Sequence, residues 1–238
     1  MSLVEERLAP ADARRAMPDA RRAMPEARRA MIDSQLRTSG VNALAVLNAF
    51  NTVARETFVS ADRRAVAYAD RAVPLDGARV LAPAVTHGQM LEAAATRTED
   101  RALLIGGGTG YLAALLMQLV GSLTVVEDDA ALLAATPERS GEWHEGPLTA
   151  GWAAAAPYSL IVIDGAIEQL PQAIADQLAP DGRIITGLIQ RGVARLAEGR
   201  KSGGAGPNGA GGGVAFAALG EADFAVLAAF AAEKKWSF

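Results

Sequence analysis

Apolar residues along this chain come in short bursts separated by turn residues, and their spacing changes character from one third to the next. From Met31 to Phe58, the positions Met31, Leu36, Val41, Leu44, Val46, Leu47, Phe50 and Val53 predict two short helices broken at Ser39-Gly40 and packed as a small cap. Residues 59 to 83 hold Tyr68, short apolar pairs and the turn signals Asp76-Gly77 and Pro83. They predict a loop-rich crossing with a short strand, followed by a helix from Thr86 to Thr96.

The next hundred residues alternate regularly. An apolar run from Arg101 to Ile105 is followed by a glycine-rich turn, a helix from Tyr111 to Val120 and a strand from Ser122 to Val126 that ends in Glu127-Asp128-Asp129, which is a βαβ unit. A helix at Ala130 to Ala135, a strand from Leu160 to Ile163 ending at Asp164-Gly165, a helix from Pro171 to Leu178, a turn at Pro180-Asp181-Gly182 and a strand from Arg183 to Ile189 continue the pattern. Strands separated by helices imply a parallel, doubly wound sheet. Residues 199–213 are glycine-rich and predict a hairpin loop between Val193–Ala197 and Val214–Leu219; a tail helix is expected from Glu221 to Lys234, with Phe224, Leu227, Ala228 and Phe230 on one face.

Ahead of the cap, residues 13–33 repeat a seven-residue unit three times, Ala-Arg-Arg-Ala-Met followed by Pro-Asp, Pro-Glu or Ile-Asp. Pro18 and Pro25 each remove a helix hydrogen bond, so the first two copies are expected as broken turns or a mobile arm and only the third continues into a helix. The carboxylates of Glu5, Glu6, Asp12, Asp19, Glu26 and Asp33 cancel most of the arginine field, which argues for a solvated extension over a nucleic-acid hook. The organisation read from these patterns is an arm at 1–30, a cap and crossing at 31–84, an α/β core at 85–190 and a C-terminal hairpin with tail helix at 191–238.

Composition narrows the chemistry. The chain has 238 residues and a formal net charge of −4, which argues against a partner recognised mainly through its phosphate backbone. It has no cysteine, and so no disulfide framework, thiolate nucleophile or Cys-based metal site. Its densest apolar stretch, Leu112 to Val120, contains Gln118 and falls far short of the ~20 residues that span a bilayer. No membrane partner and a cytoplasmic location are expected. His87 and His144 are far apart, with no second ligand at metal spacing, so no metal is expected.

Gly106-Gly107-Gly108-Thr109-Gly110, between a strand and a helix, is the strongest local signal. Glycine there permits positive φ and close backbone approach of a ligand, at the carboxyl end of a strand where open α/β sheets bind ligands. Glu127 ends the next strand about twenty residues on, where a carboxylate can accept both hydrogen bonds of a ribose diol. Together they indicate an adenosine-containing cofactor. Gly108-Thr109-Gly110-Tyr111-Leu112-Ala113 also satisfies the looser dinucleotide pattern, so a nicotinamide-dependent oxidoreductase stays open at this point.

The flanking residues add a resemblance that runs from about Met31 to Ile189. They include Gln35-Leu36-Arg37 with Gly40, Val53-Ala54-Arg55-Glu56-Thr57-Phe58-Val59, Ala67-Tyr68-Ala69-Asp70 with Pro74-Leu75, and Pro83 before a helix with Met90. Then come Ile105 through Tyr111, Val126-Glu127, Gly151-Trp152 before Ala156-Pro157-Tyr158, Leu170-Pro171, Gln177-Leu178 and Gly182-Arg183. In order and spacing these resemble the protein-L-isoaspartate O-methyltransferase family. The resemblance implies a Rossmann-like, three-layer α/β/α sandwich with an N-terminal helical cap, S-adenosyl-L-methionine as cofactor, and methylation of a side-chain carboxylate in a damaged protein or peptide. The cofactor contacts it implies are Gly106, Gly107, Gly108, Thr109, Gly110, Tyr111, Glu127, Asp128 and Gly146. Such a transfer needs little acid–base machinery, because a carboxylate is already ionised at neutral pH.

Three positions depart from the family. Its catalytic serine position falls on Leu81, or on Ala82 if the register slips, and no hydroxyl occurs between Gly77 and Val85; Thr86 and His87 are the nearby candidates to substitute. The acid usual in the first cofactor motif is Leu104, and the Gly-Asp-Gly of the adenine site reads Gly146-Pro147-Leu148, which weakens cofactor binding. These departures motivate a competing reading, a catalytically silent homologue that senses a ligand or binds a partner through the same pocket. Asp164 is expected in a strand-closing turn, and Trp143 and Trp152 are expected to pack.

Overall fold

In a computed structural model of the chain, residues 16–75, 79–137, 139–201 and 213–232 are described, with side chains from residue 24 onward. The expected turn at Asp76-Gly77 and the tip of the glycine-rich hairpin lie outside the described residues. The elements are α1 (Ala16–Met31), α2 (Leu44–Thr52), β1 (Val73–Pro74), β2 (Val80–Leu81), α3 (Ala84–Ala94), β3 (Arg101–Ile105), α4 (Tyr111–Met117) and β4 (Ser122–Glu127). They continue with α5 (Ala130–Ala135), β5 (Glu142–Glu145), β6 (Tyr158–Ile167), α6 (Gln172–Asp176), β7 (Leu178–Gln190), β8 (Val193–Lys201) and β9 (Val214–Glu221).

Seven strands form one sheet in the order β5-β4-β3-β6-β7-β8-β9. The pairs from β5 through β7 are parallel, as the alternation predicts, while β7–β8 and β8–β9 are antiparallel and close the sheet with the expected hairpin. The chain runs outward from β3 to β5 and then returns to the other side of β3 with β6. This reversal splays the connections apart and leaves a crevice beyond the carboxyl ends of β3, β4 and β6.

β3 is buried on both faces, which is why its sequence is apolar without alternation. Ala102 and Leu104 face a core shared with α1 to α4, whereas Leu103 and Ile105 face a second core with Ile161, Ile163, Ile174 of α6 and Phe230. Helices on one side and α6 with short turns on the other make three layers. The cap lies on the α3–α4 side, and its predicted break falls at Gly40, which has a φ of 86°.

Several expectations need correction. The repeat does not break at its prolines: α1 runs through Pro18 and Pro25. Pro18 sits in the first turn, where the missing N–H has no intrahelical partner to lose. The bond lost at Pro25 is offset by docking of the last turns, where Met31 is buried and Arg28 donates to Tyr68 Oη at 2.8 Å and to the Asn51 carbonyl at 2.9 Å. The tail helix is also absent among the described residues. After β9 the chain is extended, with Val226 bridged to Ala166 and a single 3-10 turn at Ala228–Phe230. Phe224, Leu227 and Phe230 are buried as the periodicity suggests, but their backbone bonds go to β6, through Ala166 N to Ala225 O at 2.8 Å and Leu227 N to Ala166 O at 2.9 Å.

β5 had no apolar signal, because Glu142-Trp143-His144-Glu145 is an edge strand of mixed exposure. Asp164-Gly165 does not close a strand; β6 continues to Ile167 with a register shift after Val162. Pro180-Asp181-Gly182 lies inside β7, where pairing skips from Leu178 to Arg183.

Candidate active site

Sheet register sets the site. Ile105 is level with Val126 on one side and with Ile163 on the other, so the first residues beyond them, Gly106, Glu127 and Asp164, stand side by side at the mouth of the crevice. Gly106, Gly108 and Gly110 have φ of 84°, 55° and 97°, conformations that side chains rarely adopt. A Cβ on Gly106 or Gly108 would point at Arg79 and Leu75 across the crevice. Gly107 differs. A Cβ there would stand 2.6 Å from Val125 and 2.7 Å from Trp143, so Gly107 is glycine to let the turn pack on the sheet.

Glu127 is fully buried. Its Oε2 accepts from the Gly108 amide at 2.6 Å, and its Oε1 accepts from the amides of Asp128 and Asp129 at 3.0 and 3.1 Å and from Arg79 Nη1 at 3.1 Å. Burial pushes this carboxyl above the usual carboxylate range, opposed by the Arg79 guanidinium and by the amides of Gly108 and Asp129. Asp128 is more exposed, with Oδ1 3.7 Å from Arg79. The Gly146 amide donates to the Glu127 carbonyl at 3.0 Å, and open space lies where its Cβ would be.

Two of the expected contacts are turned elsewhere. Thr109 Oγ1 donates to the Phe58 carbonyl at 2.6 Å, tying the turn to the cap. The Tyr111 ring is buried under Phe50 and Phe58, with the Arg55 guanidinium 4.8 Å above its face. Burial pushes its phenol up to about 12 against the pull of Arg55, so it stays neutral. Between the turn and the cap, a small pocket is lined by Thr57, Phe58, Val59, Ser60, Leu75, Thr109 and Ala135.

At the serine position, Leu81 and Ala82 are buried apolar residues. Thr86 is held by the tail, donating to the Asp223 carbonyl at 3.0 Å. His87 is buried, with Nε2 3.0 Å from Asp164 Oδ1, and Asp164 in turn keeps 15% of its side chain exposed at the mouth. Trp143 packs against the turn and Trp152 stacks on His144 with ring centroids 3.8 Å apart. Among the described residues no group of three or more His, Cys, Asp or Glu could hold a metal ion, and no helix is long and apolar enough to cross a membrane.

Arg79 is the residue that sequence reasoning missed. One of four arginines in a turn-rich crossing, it has no periodicity or motif to mark it; only its approach to Glu127, 48 residues away, gives it meaning.

The family model for protein-L-isoaspartate(D-aspartate) O-methyltransferase matches residues 26–221. The chain belongs to that family. Among similar relatives, the protein-L-isoaspartate O-methyltransferase of Methylorubrum populi is 35% identical over 160 residues, covering 65% of this chain and 76% of the relative. That of Koribacter versatilis is 36% identical over 161 residues, covering 65% and 72%. Among solved structures, a protein-L-isoaspartate O-methyltransferase superposes with a TM-score of 0.69 at 20% identity, covering 84% of this chain and 65% of the other. A Plasmodium falciparum protein of the same description, in complex with S-adenosyl-L-homocysteine, superposes with a TM-score of 0.67 at 16% identity, covering 83% and 96%. At those identities the likeness concerns the fold, which is the Rossmann-like methyltransferase sandwich with a helical cap.

Proposed function

We propose that this family member transfers the methyl group of S-adenosyl-L-methionine to the side-chain carboxylate of an isoaspartyl residue in a damaged protein or peptide. The observation that carries the reading is Glu127: a buried carboxylate closing β4 and tied at 2.6 Å to the amide of Gly108 in the glycine turn. The residues present fit an adenosyl cofactor. The turn takes positive-φ conformations at the carboxyl end of β3, and Glu127, whose carboxylate Arg79 shares with three backbone amides, stands next to it at the end of β4.

When bound, the cofactor supplies an electrophilic methyl group on a sulfonium, which an ionised carboxylate takes without a proton transfer. The chain's own task is therefore to bind, orient and exclude water. In this reading Gly106 and Gly108 allow close approach of the methionine part, Glu127 holds the ribose, Asp128 and Gly146 border the nucleoside, and Thr109 fixes the turn against the cap. Thr109 and Tyr111 act through their backbone and packing. His87 and Asp164 occupy the neighbourhood in which the family serine is missing. The proposed site of action is the cytoplasm.

Incubation with methyl-labelled S-adenosyl-L-methionine and a pair of peptides, one isoaspartyl and one aspartyl, tests the assignment. A base-labile methyl ester on the isoaspartyl peptide alone is the expected result. Buried, hydroxyl-free Leu81 favours the second reading, a silent homologue; cofactor binding with no ester on either peptide selects it.

A further inference from the structure

Four amides of the glycine turn are already spent inside the protein. Gly106 and Gly107 donate to the Val126 carbonyl, Gly110 to the Gly107 carbonyl and Gly108 to Glu127. An anionic group laid on this turn finds those donors taken. A guanidinium stands there instead: Arg79 Nη2 lies 3.0 Å from the place of a Cβ on Gly106, while Nη1 holds Glu127 at 3.1 Å. Arg79 thus spans from the ribose acceptor to the seat of the methionine part.

Glu127 has little acceptor capacity left for a ribose in this arrangement. Its Oε1 already accepts from three donors and its Oε2 from a fourth, against about four lone-pair sites on a carboxylate. The backbone donors are fixed by the turn after β4. The Arg79 side chain, 19% exposed, is the one of the four that rotation can remove.

We propose that Arg79 reads the amino-acid carboxylate of the cofactor, leaving Glu127 to the ribose as it does so. This rests on the assignment of Glu127 to the ribose made above. The exchange conserves charge pairing: the guanidinium passes from one carboxylate to another, and Glu127, still held by its three backbone amides, trades a cation for one hydroxyl donor. A nucleoside without the carboxylate has to break the Arg79–Glu127 pair and returns nothing to the guanidinium. The site therefore selects adenosyl compounds that carry an amino-acid tail.

The test is calorimetric titration of the full chain with S-adenosyl-L-homocysteine and with 5′-methylthioadenosine, which shares the thioether nucleoside and lacks the carboxylate. Wild-type protein is expected to prefer the former by at least about tenfold, the scale of one charge-assisted contact. In Arg79→Gln that preference collapses and methylthioadenosine binds at least as tightly as to wild type, because Glu127 is freed; Arg79→Lys keeps part of the preference. An undiminished preference in Arg79→Gln overturns the proposal and leaves the cofactor assignment standing. Equal loss of both ligands in Arg79→Gln overturns it as well, since Arg79 would then only support Glu127. Failure of wild type to bind either ligand refutes the cofactor assignment and this proposal with it. Thermal melting of each variant checks that the fold is unchanged.

Discussion

Asp100 and Arg183 meet as a two-pronged ion pair, with Arg183 Nη2 at 2.7 Å from Oδ2 and Nη1 at 3.3 Å from Oδ1, and their side chains are only 3% and 6% exposed. The pair joins the turn before β3 to strand β7, two strands away in the sheet. Arg183 also donates to the carbonyls of Ala94 and Ala95 at the end of α3, and Ser159 Oγ donates to Asp100 at 2.7 Å. Burial raises the Asp100 carboxyl, but Arg183, Ser159 and the Arg97 amide outweigh it and hold it below the usual carboxylate range. A carboxyl depressed on folding adds stability that is present above its unfolded value, about 3.9, and is lost as pH falls through the lower folded value. The stability difference between wild type and Asp100→Asn, from urea midpoints, is expected to be constant above about pH 5 and to shrink below about pH 4. Arg183→Ala leaves a buried carboxylate unpaired and should cost about 3–5 kcal/mol at neutral pH.

Glu127→Gln tests the ribose assignment directly. The amide keeps the shape of the side chain but offers a single acceptor oxygen and no charge. Affinity for S-adenosyl-L-homocysteine by calorimetry should fall by about ten- to a hundredfold, the scale of hydrogen bonds to a charged group. Unchanged affinity removes Glu127 from the site.

Two neighbouring glycines should respond in opposite ways. Gly107→Ala places a methyl group 2.6 Å from Val125 and 2.7 Å from Trp143, and overpacking of this kind costs about 1–3 kcal/mol, visible as a lower melting temperature. Gly108→Ala meets only Leu75 at 3.8 Å. Its cost comes from the φ of 55° and is about 1 kcal/mol, while the methyl group intrudes on the crevice and weakens cofactor binding more than it weakens the fold. Gly108→Val, with a branched side chain at the same φ, should abolish binding and still leave a folded protein. If Gly107→Ala lost the ligand and Gly108→Ala kept it, the orientation of the turn given above would be wrong.

Arg28 decides whether α1 stays docked. Its guanidinium bonds Tyr68, the Asn51 carbonyl and Glu56, and Tyr68 in turn donates to Glu56. Arg28→Ala should lower stability by about 2 kcal/mol, shifting the melting temperature by about 4–8 °C. An unshifted melting curve would show that the buried face around Met31 holds the helix alone.

The sequence by itself determined the βαβ core, the glycine turn, the acid closing β4, the break at Gly40 and the family. These follow from local rules: unbroken apolar runs for strands buried on both faces, and glycine where φ must be positive. Tertiary structure decided the rest. Pro18 and Pro25 predicted a broken arm, yet α1 is continuous because Arg28 and Met31 anchor it. Phe224, Leu227 and Phe230 have helical spacing, yet they bury from an extended chain because the irregular end of β6 offers open backbone partners. Gly107 and Gly108 are indistinguishable as letters, and only the sheet beneath one and the crevice beside the other separate them. Arg79 carries no local pattern at all. Its role arises where a loop is brought across the mouth of the sheet to a carboxylate 48 residues distant, and a contact of that range is set by the packing of the whole chain.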